Sequence, residues 1–224
     1  MPFKDRADAG RRLAAALADY RDQNPVVLAL PRGGVPVAAE IAAALKAPLD
    51  LIVVRKIGVP RQPELAMGAV VDGIVPLVVR NEDVIRRTGI DERTFQSACE
   101  HELVEINRRW QRYLGGRERV AVKGRTAIVV DDGVATGATT RAALRATRAQ
   151  GPKKLVLAVP VAPTEALADL RQEADDVVCL EDHEFFEAIG IYYRDFHQIS
   201  DEEVIGLLKR FSGTDSEPRK KPAA

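Results

Sequence analysis

Net charge is what this 224-residue sequence lacks: 33 Lys and Arg stand against 33 Asp and Glu. Nucleic-acid binding rests on a basic surface that releases counterions, so the balance argues against nucleic acid as a main partner. A local cluster can still hold a small anion. No apolar run approaches the roughly 20 residues of a membrane span, and residues 1–12 carry no apolar signal core. The only cysteines, Cys99 and Cys179, lie far apart, which suits buried thiols better than a disulfide or a metal site. These absences predict a cytoplasmic protein with no membrane and no nucleic-acid partner. Aromatic residues are scarce at 5%, so any cluster of them is informative.

What is present is an alternation of short apolar runs and amphipathic stretches. A helix is expected over residues 5–19, a buried strand over 26–30, a helix over 37–45 and a strand over 49–54. Residues 55–63, basic and rich in Gly and Pro, read as a mobile loop. Runs at 66–71 and 75–79 flank Asp72-Gly73, a signal for a hairpin or, equally, a longer loop. Residues 81–118 then interrupt the alternation. Asp91 is placed to cap a helix of about 24 residues with Phe95, Cys99, Leu103, Ile106 and Trp110 on one face, a stripe for packing against the core or another subunit.

Alternation resumes with a strand at 126–130, a helix at 139–150, a strand at 155–159, a helix at 164–173 and a strand at 176–180. The fold class is therefore α/β, a doubly wound and mainly parallel sheet with a long helical insertion and a small C-terminal hood. One domain is expected over 1–211, with the insertion at about 81–118, the hood at about 181–211, and a polar, disordered tail at 212–224.

The chemistry concentrates where the 126–130 strand ends. Ile128-Val129-Val130 runs into Asp131 and Asp132, then into the small-residue loop Gly133-Val134-Ala135-Thr136-Gly137-Ala138-Thr139-Thr140 and a helix start. Small side chains let backbone N–H groups close around an anion, and the helix N-terminus adds partial positive charge. No Gly-Lys-Ser/Thr follows, so this is not a nucleoside-triphosphate P-loop, nor is it Gly-x-Gly-x-x-Gly. Two acids before a phosphate cradle suit a phosphorylated sugar whose hydroxyls the acids take.

The segment resembles the 5-phosphoribosyl 1-pyrophosphate (PRPP) motif of type I phosphoribosyltransferases. The resemblance implies that Asp131 and Asp132 bind the ribose hydroxyls and that Ala135, Thr136, Gly137, Ala138, Thr139 and Thr140 bind the 5-phosphate. Arg32, Gly33 and Gly34, after the first strand, stand where that family has its pyrophosphate loop, with a non-proline cis peptide expected near Arg32. Arg55 and Lys56 resemble Arg-Lys pairs that reach the pyrophosphate in orotate and adenine enzymes, and 55–68 would act as a lid. The whole layout, insertion and ending included, is similar to a bacterial group of such proteins with no assigned acceptor.

The resemblance implies transfer of phosphoribosyl from PRPP to a small nitrogenous acceptor, with Mg2+ bridging pyrophosphate and ribose oxygens. Asp131 and Asp132 are then the protein groups beside that ion. Asp131, Asp132, Lys56 and Arg55 would be the catalytic set. Enzymes for 6-oxopurines carry an Asp where this chain has Ala135, which argues against hypoxanthine and guanine; Glu64 is a substitute base. Phe185, Phe186, Tyr192, Tyr193 and Phe196 would pack the hood or stack on the acceptor, beside His183 and His197. The competing reading is a non-catalytic PRPP sensor, against which Arg32, Arg55 and Lys56 weigh. The 81–118 helix is expected to pack beside the active-site face and help enclose the acceptor, with homodimer contact as its alternative.

Overall fold

The structure is a computed structural model that describes residues 2–73 and 76–211. In chain order the elements are α1 (Arg6–Ala16), β1 (Pro25–Ala29), α2 (Gly34–Leu45), β2 (Leu49–Leu51), β3 (Val54–Val59), β4 (Gln62–Val71), β5 (Leu77–Arg80), α3 (Glu82–Thr88) and α4 (Glu92–Leu114). There follow β6 (Thr126–Val130), α5 (Ala138–Ala149), β7 (Lys154–Pro163), α6 (Thr164–Leu170), β8 (Asp176–His183) and α7 (Asp201–Lys209). The expected tail at 212–224 lies outside the described residues, as does the start of the 75–79 run.

Five apolar runs form one parallel sheet in the order β2-β1-β6-β7-β8. β1, β2, β6 and nearly all of β7 are buried, as helices on either side require, while β8 at the edge is half-buried. Val27, Ala29, Ile128 and Val130 face a core built with α1, α2, α4 and α7. Val26, Leu28, Ala127 and Val129 face the opposite core, with α5 and α6. The expected α/β, mainly parallel architecture is the one observed. Among the described residues no helix is long and apolar enough to cross a membrane.

The basic segment read as a mobile loop is instead ordered. β3, β4 and β5 form a separate antiparallel sheet, and Arg55 and Lys56 lie on β3. The Gly and Pro that suggested a loop mark irregularities in this hairpin: the register shifts at Gly58, and Arg61 at the turn has φ +71°. The strand expected over 49–54 also divides. Val53 N donates to the Asp72 carboxylate (2.8 Å) and Asp72 N to Val53 O (3.0 Å), so the chain leaves the main sheet there. β4 and β5 pair antiparallel with Val71 opposite Leu77, so Asp72-Gly73 stands in the connection between two paired strands, and that connection is longer than a two-residue turn.

The insertion contains α3, which periodicity did not reveal, and the expected long helix. Asp91 caps α4 by accepting from Thr94 N (2.8 Å), and Gly115, at φ +56°, ends it. Phe95, Cys99, Ile106 and Trp110 are buried within the chain, in the same core as Ile57 and Met67 of the small sheet. Two buried carboxylates fasten the insertion's ends. Asp72 also accepts from Trp110 Nε1 and Arg119 Nη1 (2.8 Å), and Asp50 accepts from Val120 N (2.7 Å). Burial pushes both carboxyls above the ordinary range, while hydrogen bonds and arginines oppose it.

Candidate active site

The site follows from strand pairing. β1 and β6 are parallel neighbours with Ala29 opposite Val130, and Leu30 N donates to Val130 O (2.9 Å). The Arg32-Gly33-Gly34 turn and the Asp131-Asp132 pair therefore emerge side by side at the C-terminal edge, where open α/β sheets bind ligands. The Pro31–Arg32 peptide is cis, as expected. The glycines there permit close approach. A Cβ on Gly34 would lie 2.7 Å from Val130 O, and one on Gly33 would lie 2.0 Å from Asp132 Oδ2.

Beyond Asp132 the chain turns under Val161, with Val134 N donating to Val161 O (2.9 Å). Gly137, at φ +76°, then starts α5. The backbone N–H groups of Ala135, Thr136, Gly137, Ala138, Thr139 and Thr140 have no acceptor among the described residues; the next one, Arg141 N, bonds Gly137 O (2.8 Å). Ala135 and Thr136 are exposed. A helix N-terminus with free donors and no bulky side chain is suited to phosphate.

The acidic pair is not equivalent. Asp131 Oδ1 accepts from Asp132 N (2.9 Å), and burial, then the neighbouring Asp132 charge, push the Asp131 carboxyl well above the ordinary range. Asp132 is buried and forms an ion pair with Arg6 Nε (2.7 Å). Its carbonyl accepts from Tyr193 Oη (2.6 Å), and burial raises the Tyr193 phenol, keeping it a donor. The acids are thus not an exposed pair at a strand end that could be neutralised without loss of stability; Asp132 fastens the core to the N-terminus and the hood.

The other expected groups divide. Lys56 is exposed and has no hydrogen-bond or ion-pair partner among the described residues. With Thr139 it borders two clefts. One, about 500 Å³, lies between the small sheet and α5; the other, about 680 Å³, lies between the β3–β4 hairpin and α4 and includes Arg55, Glu64, His101 and Glu102. Asp131, Asp132 and Arg32 line neither. Arg55 pairs with Glu102 of α4 (2.7 Å). Arg32 faces Asp201 of α7 at 3.9 Å, and Asp201 also accepts from Tyr113 Oη (2.6 Å) and pairs with Arg112 (3.1 Å). The long helix therefore does run beside the candidate site within one chain.

The aromatics of residues 185–196 mostly pack on one another. Tyr192 stacks between His183 (4.5 Å) and Phe186 (5.1 Å), and Tyr193 packs against Phe196 (5.0 Å) and Phe3 (5.4 Å). Phe185 stands apart at 92% exposed. His197 bridges Asp195 (2.9 Å) and Glu203 (3.2 Å). Arg6, Glu102 and Asp201 carry no motif, and the aromatic cluster that holds Tyr193 gave no sign of its bond to Asp132. Only a charged residue at the start of an otherwise amphipathic helix could have drawn attention to Arg6.

A doubly wound parallel sheet with a small-residue loop of free N–H donors beside an acidic pair, at the C-terminal edge of its strands, marks the chain as an open α/β domain with its candidate site at that edge. Residues 3–196 match the phosphoribosyl transferase domain family, and the chain belongs to it. It is 50% identical over 209 residues to proteins of Mycobacterium tuberculosis named "Putative phosphoribosyl transferase Rv0571c" (strain H37Rv) and "Putative phosphoribosyl transferase MT0597" (strain CDC 1551). The match covers 93% of this chain but 46% of either relative, so the chain spans less than half their length. The crystal structure of TT1426 from Thermus thermophilus is 42% identical with a TM-score of 0.81, covering 94% of this chain and 99% of that one.

Proposed function

We propose that this chain transfers the 5-phosphoribosyl group of PRPP to a nitrogenous acceptor, releasing pyrophosphate. The observation that carries the reading is the run of free N–H donors from Ala135 to Thr140, opening beside Asp131, Asp132 and the Gly33-Gly34 turn. The cradle takes the 5-phosphate, and Asp131 and Asp132 take the ribose hydroxyls. Departure of pyrophosphate builds positive character on the ribose ring, which the acidic pair stabilises by charge placement. Lys56, with Arg32 and Arg55 once released from Asp201 and Glu102, neutralises the leaving group. The β3–β4 hairpin serves as the lid that excludes water.

Mg2+ fits this donor set. Among the described residues no three His, Cys, Asp or Glu side chains could hold a metal ion alone. Two carboxylates suit a hard cation that keeps its waters and takes most of its ligands from the substrate's phosphates. When bound, it supplies charge neutralisation of the pyrophosphate. Residues 1–211 act as one domain, in the cytoplasm and without nucleic-acid or membrane partners, and α4 helps enclose the acceptor.

A non-catalytic PRPP sensor is the second reading, favoured by the engagement of Arg32 and Arg55 with carboxylates. Calorimetry with PRPP and MgCl2 tests what both share. Wild type should bind, and Thr136→Arg, whose side chain fills the phosphate space, should not. Unchanged affinity in a folded Thr136→Arg protein overturns the cradle.

A further inference from the structure

We propose that Arg6 is a positioning residue for the acidic pair, holding the Asp132 carboxylate in the orientation in which it meets the ribose. The inference rests on the PRPP reading and extends it to a residue outside every motif.

Arg6 opens α1, yet its side chain is only 8% exposed. Its planar guanidinium spans two anchors: Nε donates to Asp132 Oδ2 (2.7 Å) and Nη1 to His197 O (2.9 Å). Its Cζ sits 3.8 Å from the centroid of the Phe196 ring. Gly33 also crowds this carboxylate: a Cβ there would stand 2.0 Å from Oδ2 and 2.9 Å from Oδ1. The Asp132 carboxylate is thus held between arginine and glycine turn, with Oδ2 committed to Arg6. Tyr193 Oη pins the backbone of Asp132 (2.6 Å), so side chain and main chain are both held.

A packing role alone does not require this arrangement. Burying an arginine costs desolvation that its ion pair and hydrogen bonds must offset, and apolar residues of similar volume often replace such pairs at no loss of stability. What an apolar residue cannot do is aim a carboxylate. The guanidinium does so, with a fork matched to two acceptors. It also places one positive charge beside two adjacent carboxylates that must receive a polyanionic substrate, which lowers their repulsion of it.

A double-mutant cycle read by calorimetry with PRPP and MgCl2 tests the assignment, using wild type, Arg6→Met, Asp132→Asn and the double variant. Each is measured well below its own melting midpoint. Arg6→Met should weaken PRPP binding by about tenfold or more, since a small misplacement of an aligned group costs rates and affinities on that scale. In the Asp132→Asn background the same change should add no more than about twofold, because Arg6 then has nothing left to aim. Arg6→Lys keeps the charge but not the fork and should recover part of the loss; it takes the place of Arg6→Met in the cycle if that variant does not fold. Additive losses, or PRPP binding unchanged in folded Arg6→Met, overturn the positioning role while leaving the PRPP site standing. Failure of wild type to bind PRPP overturns the site itself and this role with it.

Discussion

Gly33→Ala isolates the contact on which the site geometry depends. Gly33 has φ −61° and ψ −36°, dihedrals at which alanine is at home, so the substitution introduces no backbone strain. Its whole effect comes from a methyl placed 2.0 Å from Asp132 Oδ2 and 2.5 Å from Cγ. A free carboxylate would swing aside, but this one is paired with Arg6 at 2.7 Å and its carbonyl is held by Tyr193. Asp132 must give up Arg6, leaving both charges buried, and breaking a buried pair costs about 3–5 kcal/mol. At about 2–4 °C per kcal/mol for a chain of this size, a loss near 3 kcal/mol lowers the melting midpoint by roughly 6–12 °C. Gly206→Ala is the control: it lies inside α7 with nothing within 4 Å of its Cβ, and should gain about 0.5–1 kcal/mol. Thermal unfolding followed by circular dichroism reads both. A Gly33→Ala protein that melts with wild type or with Gly206→Ala would refute the boxed carboxylate.

Asp72→Ala should cost about 3–5 kcal/mol in urea unfolding, because Arg119, Trp110 Nε1 and Val53 N lose a buried acceptor together; a loss below about 1 kcal/mol would mean that the knot does not hold the insertion. Glu102→Gln frees Arg55 and should tighten pyrophosphate binding by up to about fivefold, the scale of a half-exposed ion pair; weaker binding would show that Glu102 positions Arg55 rather than restrains it. His197 is raised above its ordinary value by hydrogen bonds to Asp195 and then Glu203. The stability it adds is complete below about pH 6.5 and is lost as pH rises through the folded value, so the urea midpoint of wild type should exceed that of His197→Gln more at about pH 5.5 than at about pH 8.5. A pH-independent difference would contradict that linkage.

The parts legible in the sequence are those whose physics is local. β6 coincides with its apolar run at 126–130, and α4 runs from the Asp91 cap to Gly115 because cap, stripe and stop all lie within the segment. The glycine turn and the acidic pair were readable for the same reason, each being a short strand-end pattern. The β3–β4 hairpin was not, because Gly58, Pro60 and Pro63 serve equally for a loop and for a bulged strand pair, and only pairing decides between them. Arg6 was invisible as a site residue, and Tyr193 showed only as a hood aromatic, because they reach Asp132 across 126 and 61 positions. Asp72 showed its turn but not its partners Trp110 and Arg119, which a distant helix and the segment after it bring back to the same carboxylate.

Pyrophosphate release from PRPP and Mg2+ over a panel of nitrogenous bases tests the central claim most directly. The account predicts release that depends on one or a few bases, equals phosphoribosylated product mole for mole, and disappears in Thr136→Arg. PRPP binding without base-dependent release from any acceptor would contradict it in favour of a sensor, and no PRPP binding would contradict the site altogether.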